Sequence, residues 1–217
     1  MLDEDKLRAF VAMAPGDWRI ERFIERCTAR TYEEFVTILY KDLDNLLSEM
    51  QLSKNFLHDK SEDDITMGLV QSLNQLMYHA DHDPMKNGHV DFFVEGRQPD
   101  FHWMGEAKLD SGPSTLEGGM RQLCDRYSTG GHGQSHGGVL VYIKGAKAAV
   151  IFKNWRDHVE QIDDPDSFEQ LNVSDCPCSK SPFRFQTTHV HSSSGLPYTV
   201  RHMGVHLHHN PTDRVTT

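Results

Sequence analysis

Two short stretches near the middle of the chain carry residue types that could do chemistry together. One is Val90-Asp91, within the run His89-Val90-Asp91-Phe92-Phe93-Val94-Glu95. The other is Glu106-Ala107-Lys108, at the end of a run that starts at Phe101. In the first run Val90, Phe92 and Val94 alternate, so a strand would turn Asp91 to the opposite face. In the second, Phe101, Trp103, Gly105 and Ala107 share one face, and His102, Met104, Glu106 and Lys108 share the other. Residues 96–100 contain Gly and Pro and read as a hairpin turn, which can bring Asp91 onto the Glu106/Lys108 face. Two converging carboxylates make a hard-oxygen site suited to Mg²⁺ or Mn²⁺. An ammonium two residues from Glu106 can polarise an attacking water or stabilise developing negative charge. The chemistry that this combination suits is metal-assisted phosphodiester hydrolysis.

The flanking elements must hold these residues in place. Residues 61–79 read as a helix with the stripe Ile65, Leu69, Leu73 and Leu76, started by a Ser61/Asp64 capping box. Glu62 lies three residues before Ile65 and extends that stripe, which puts an acid on the buried face. The plainer reading is that the helix dipole favours acids in a first turn. A helix is expected over 115–127, weakened by Gly118-Gly119, then a flexible Gly- and His-rich loop over 130–138. Residues 138–143 read as a buried strand, 148–152 as another strand or an edge extension, and 155–162 as a short helix. The tail after Asp163 is loop-rich, with strands near 183–191 and 198–208 and a hairpin loop at Ser192 to Gly195. Residues 1–60 read as helical, broken at Pro15-Gly16, with apolar positions Phe23, Ile24, Phe35, Ile38, Leu39, Leu43, Leu46 and Leu47 and a capped start at Thr31. The expected organisation is a helical cap or interaction segment (1–60), a core (61–163) and C-terminal strands packed on that core (164–217).

Composition narrows the class. The 217 residues include 22 basic and 32 acidic side chains, a formal net charge of −10. No run reaches the 18 apolar residues of a membrane span, and the acidic N-terminus lacks the apolar region of a signal peptide, so a cytoplasmic protein is expected. The four cysteines, Cys27, Cys124, Cys176 and Cys178, are then expected to be reduced. The acidity argues against a generic polyanion binder, which needs clustered Lys and Arg. The excess is concentrated in the first 64 residues, which hold 15 acids against 9 bases.

In Val90-Asp91, Glu106-Ala107-Lys108 and the acid at Glu62, the chain resembles the PD-(D/E)xK restriction-endonuclease-like superfamily over roughly residues 61–152. The resemblance implies an α/β (α+β) fold, with an αβββαβ core around a mixed central sheet flanked by helices. It also implies Mg²⁺- or Mn²⁺-dependent cleavage of nucleic acid, DNA above RNA. It puts metal ligands at Asp91, Glu106 and Glu62 and the catalytic lysine at Lys108. Gln122 falls where some branches carry a substrate-contacting glutamine. Two departures stand: Val90 replaces the proline of the motif name, and Gln122 and Tyr127 are five apart where one branch has four. His89 and His102 share the polar strand faces, where a contact to a scissile phosphate competes with a purely structural role.

Function is therefore expected to be that of a metal-dependent (endo)nuclease, in the setting of bacterial defence or a mobile element. The acidic N-terminal helices are expected to face a protein partner or a second copy. One alternative is a non-catalytic interaction module on the same fold. Another is a zinc-stabilised regulator built on Cys176, Cys178, His189 and His191, although that spacing matches no standard finger. His202, His206 and His208 are expected on one strand face, as a weak metal site, a pH-sensitive surface or a substrate contact.

Overall fold

Local capping chemistry sets where the helices begin. Asp17 accepts the Arg19 N–H (3.0 Å) and starts α1 (Trp18–Thr28). Thr31 and Glu34 form a reciprocal capping box that starts α2 (Tyr32–Leu52), followed by the single turn α3 (Lys54–Leu57). Ser61 and Asp64 form the second box: Ser61 Oγ accepts the Asp64 N–H (3.1 Å) and Asp64 Oδ2 accepts the Ser61 N–H (3.3 Å). That box starts α4 (Glu62–Gln75) and makes Glu62 its first residue.

The computed structural model describes residues 5–6, 9, 12, 17–85, 88–177, 179 and 181–211. Among these, one seven-stranded mixed sheet is flanked by helices on both faces. Its strands are β1 (His79–His82), β2 (Phe92–Glu95), β3 (His102–Leu109), β4 (His136–Ile143), β5 (Phe168–Asp175), β6 (Arg184–His191) and β7 (Pro197–His206). They lie in the order β1-β2-β3-β4-β7-β6-β5, with β3, β4 and β7 parallel and the two flanks antiparallel. α5 (Pro113–Arg121) runs directly into a π-helical turn (Gln122–Tyr127), and α6 (Ala148–Val159) follows β4. Among the described residues no helix is long and apolar enough to cross a membrane.

One face of the sheet buries Trp103, Ala107, Leu140, Tyr142, Met203 and Val205 beneath α2 and α4, which contribute Leu39, Leu43, Leu47, Ile65, Leu69 and Leu73. The other face buries Met104, Val139, Val141, Phe185 and Val200 beneath α5, the π-helical turn and α6. α2 is also tied to the far strands by a polar clamp. Asp44 takes Arg184 Nε at 2.7 Å and Arg201 Nη2 at 2.8 Å, and both arginines are buried. The helical N-terminal segment and the C-terminal strands thus share one core with residues 61–163.

Several expectations need correction. Residues 148–152 belong to a helix, because Phe152, Trp155 and Val159 are buried together at helical spacing while Val150 faces solvent. β1 and β5 are strands that the sequence pattern did not announce. Both are edge strands, and only Ala80 in β1 and Phe168 in β5 are buried. β2 starts at Phe92, so Asp91 precedes the strand and the expected alternation breaks there: Val90 is buried with Phe93 on the second face, while Phe92 and Val94 lie on the first. The strand after the Gly-rich loop starts at His136 and takes Gly137 and Gly138 into the sheet. The hairpin turn at 96–100 is present, closed by the Gly96 N–H donating to the Phe101 carbonyl (2.7 Å).

Candidate active site

β2 and β3 pair from Glu95↔His102 to Phe92↔Gly105 and then separate. Beyond Gly105 the β3 edge that faced β2 has lost its strand partner. Unpaired backbone N–H groups in a half-buried place must find acceptors, and here two carboxylates supply them. Asp91 Oδ2 accepts the Ala107 N–H at 2.7 Å, and Glu62 Oε2 accepts the Leu109 N–H in a short bond. Asp91 comes from the segment entering β2 and Glu62 from the first turn of α4. Thr66 anchors that turn: its hydroxyl donates to the Glu62 carbonyl (2.8 Å) and lies 3.1 Å from the Tyr142 hydroxyl.

Strand alternation sends Glu106 and Lys108 into the same notch. The Lys108 ammonium lies 2.7 Å from Glu106 Oε1, 3.3 Å from Asp91 Oδ2 and 3.6 Å from Glu62 Oε1. Three carboxylates therefore converge on one ammonium. Glu106 is only 1% exposed, whereas Asp91 and Glu62 are 27% and 28% exposed and form the open side. α5 closes the other side through Gly119. A Cβ there would meet Lys108 Cγ at 3.0 Å and Glu106 Cγ at 3.2 Å, so glycine lets the helix lie directly on the site.

The electrostatics follow from burial and crowding. Burial, and then the Asp91 charge, push the Glu106 carboxyl up to about 7, with Lys108 partly offsetting both. Burial alone would depress the Lys108 ammonium, but the carboxylates of Glu106, Asp91 and Glu62 outweigh it and hold the group charged. With every group ionised, three carboxylates and one ammonium leave two negative charges, the complement of one divalent cation. Glu106 Oε2 is buried and has no hydrogen-bond partner. A buried carboxylate oxygen without a donor is costly, and a cation would satisfy it. Hard-oxygen donors of this kind suit Mg²⁺ or Mn²⁺. Among the described residues no three His, Cys, Asp or Glu side chains already stand in coordination geometry, because these carboxylates are closed on Lys108.

The structure thus brings Glu62, Asp91, Glu106 and Lys108 together. It does not bring in His102 or His89. His102 starts β3, six residues before Lys108 and roughly 20 Å away along the strand; there it bonds Gln134 (3.1 Å) and packs on Phe93. His89 is exposed and pairs with Asp83 at 2.9 Å. Gln122 is half-buried at the start of the π-helical turn, three residues past Gly119.

Sequence reasoning missed Tyr127 as part of this site. Its hydroxyl is pushed up by burial, then by the nearby Glu106 charge and less by that of Asp91, which places it in the field of the cluster. Its ring also packs against Gly88, just ahead of Asp91. The available signal was the five-residue interval from Gln122, because a π-helical turn makes i and i+5 neighbours where an α-helix makes i and i+4 neighbours.

The zinc expectation divides. Cys178 lies outside the described residues. Cys176 is buried, His191 is bonded to Ser128 (2.8 Å), and His189 packs against Phe168 and Tyr198. Neither a family model, nor a curated protein, nor a solved structure matches the chain.

Proposed function

We propose that this chain is a divalent-metal-dependent nuclease of the PD-(D/E)xK kind. The observation that carries the reading is the convergence of Glu62, Asp91 and Glu106 within 3.6 Å of the Lys108 ammonium, beside a buried Glu106 oxygen that lacks a partner. The element order α4-β1-β2-β3-α5-β4 supports it, because that is the αβββαβ order the resemblance implies.

In this reading Asp91 and Glu106, with Glu62, would hold Mg²⁺ or Mn²⁺. The ion would supply Lewis-acid polarisation of the phosphate and a more acidic bound water. Lys108 is held as an ammonium, so it donates and does not take up a proton: it orients the attacking water or stabilises charge on a phosphate oxygen. Asp91 and Glu62 are each fixed by a backbone N–H of β3, so their second oxygens are aimed without further ordering. Gly119 keeps α5 close enough to hold water away from the Glu106 side.

The proposed substrate is DNA, on the resemblance alone. With a net charge of −10, unaided affinity for a polyanion is weak, so the acidic N-terminal helices would face a protein partner or a second copy. A second reading, a non-catalytic module, is favoured by the two backbone bonds, which give Asp91 and Glu62 a structural task at the strand edge.

Cleavage of supercoiled plasmid and of single-stranded oligonucleotides separates the two. The nuclease reading expects cleavage with Mg²⁺ or Mn²⁺, none in EDTA, and at least a 100-fold loss in Lys108→Ala. Full activity in folded Lys108→Ala would remove Lys108 from the mechanism. Absence of cleavage by the wild-type chain in every metal, on both substrates, would favour the module.

A further inference from the structure

At the C-terminal end of the parallel strands, four imidazoles come together from two distant parts of the chain. His58 follows α3, His206 ends β7, and His208 and His209 lie just beyond it. The His58 ring centre is 6.2 Å from that of His208 and 6.4 Å from that of His209, and the His206 and His208 rings stack at 6.5 Å. All four are half-buried, so they are held but open to an ion.

The hydrogen bonds decide which nitrogens are free. His58 Nδ1 lies 3.3 Å from the Leu207 carbonyl, and His208 Nδ1 lies 2.9 Å from the Lys144 carbonyl. A carbonyl only accepts, so in each ring Nδ1 carries the proton and donates it. Both Nε2 atoms are left with a bare lone pair. A backbone carbonyl that fixes the tautomer of a ligating histidine in this way is the usual outer-shell arrangement of imidazole metal sites.

We propose that His58 and His208, completed by His209 or His206, form a binding site for a borderline transition-metal ion of the Zn²⁺ or Ni²⁺ class. Neutral imidazole is the donor those ions prefer, and it suits Mg²⁺ poorly. An ion about 2.1 Å from each Nε2 in tetrahedral geometry holds two ring centres on the order of 5 Å apart. The observed spacings exceed that by about 1 Å, the movement the rings must make on binding. Among the described residues no such trio is preformed, so the rings gather on the ion instead of waiting as a finished cage. The ion would clasp the segment ahead of α4 to the end of β7. Glu62 lies four residues after His58, so the clasp would steady the helix start that carries it. The site is independent of the nuclease reading, since it uses none of the four notch residues.

The test is calorimetric titration of the full-length, tag-free, EDTA-stripped chain with ZnCl₂ and separately with NiCl₂. With Mg²⁺ in excess to fill the carboxylate notch, one further saturable site per chain is expected, weakened at least about 10-fold in His208→Ala and in His58→Asn. In His58→Asn the amide nitrogen takes the place of Nδ1 and can still donate to the Leu207 carbonyl, so that variant removes the ligand and keeps the anchor. Zn²⁺ added over that Mg²⁺ should raise the thermal midpoint of the wild-type chain and not that of His208→Ala, with both midpoints alike in EDTA. Glu106→Gln should bind Zn²⁺ as tightly as wild type. The proposal is overturned by absence of saturable binding, by binding unchanged in both histidine variants, or by binding lost in Glu106→Gln.

Discussion

Acid should destabilise this fold through two buried histidines, and the size of the effect can be worked out. His202 is fully buried beneath α6. The Trp155 indole N–H, which can only donate, points at its Nδ1 (3.2 Å), so Nδ1 must stay unprotonated and Nε2 faces the Thr187 hydroxyl (3.1 Å). Protonation would set two donors against each other in a dry site. Burial, then the neighbouring His189, push His202 down to about 3. His189, with neither ring nitrogen bonded, is pushed down to about 4 by burial and then by His191. Both rings stay neutral in the folded chain while the unfolded chain takes up protons near pH 6.5. Their contribution is therefore fully present above that pH and is lost as pH falls toward 4 and 3. Each ring contributes a slope of about 1.4 kcal/mol per pH unit. Glu106, raised to about 7, works in the opposite sense and cancels roughly one such slope between about pH 4.5 and 6.5. Together these three groups contribute a loss of about 1.4 kcal/mol for each pH unit in that window, against a total stability of roughly 5–15 kcal/mol. His202→Gln retains an acceptor for Trp155 and a donor for Thr187 but cannot titrate. Urea unfolding followed by tryptophan fluorescence, at half-unit steps across the window, should show the variant's slope smaller than that of the wild type by about 1.4 kcal/mol per pH unit. An unchanged slope in His202→Gln would refute the reasoning about the buried ring.

Two further perturbations probe the frame and the site. Asp44→Ala strands Arg184 and Arg201 without their shared carboxylate, and should cost about 3 kcal/mol in chemical denaturation, the low end for a broken buried pair because Asp44 is 27% exposed. Gly119→Ala adds a methyl 3.0 Å from Lys108 Cγ; the helical gain of about 1 kcal/mol should roughly balance the crowding. Stability should therefore barely change, while cleavage of plasmid drops at least about 10-fold as the ammonium is displaced.

The notch was legible because its signals are local. Alternation placed Glu106 and Lys108 on one face, and the Ser61/Asp64 box placed Glu62 at a helix start. What alternation does not carry is position along a strand, which is why His102 shares the face of Lys108 yet stands at its far end. Edge strands such as β1 and β5 bury too little to imprint a pattern. The apolar run at 148–152 fits a buried strand or a helix equally, and only the packing of Phe152, Trp155 and Val159 on the sheet decides it. The contact between His58 and His208 spans 150 positions and leaves no periodic trace.

The central claim is that Glu62, Asp91 and Glu106 are gathered for a divalent cation beside Lys108. Its most direct test is Mn²⁺ titration of the full chain near pH 7 in two buffers of different ionisation enthalpy, with Asp91→Asn and Glu106→Gln alongside. One saturable Mn²⁺ site per chain is expected, with release of part of a proton from Glu106 in the wild type. Asp91→Asn should lose the site, and Glu106→Gln should lose the proton release. No saturable binding, or binding with the same proton release in both variants, would contradict it.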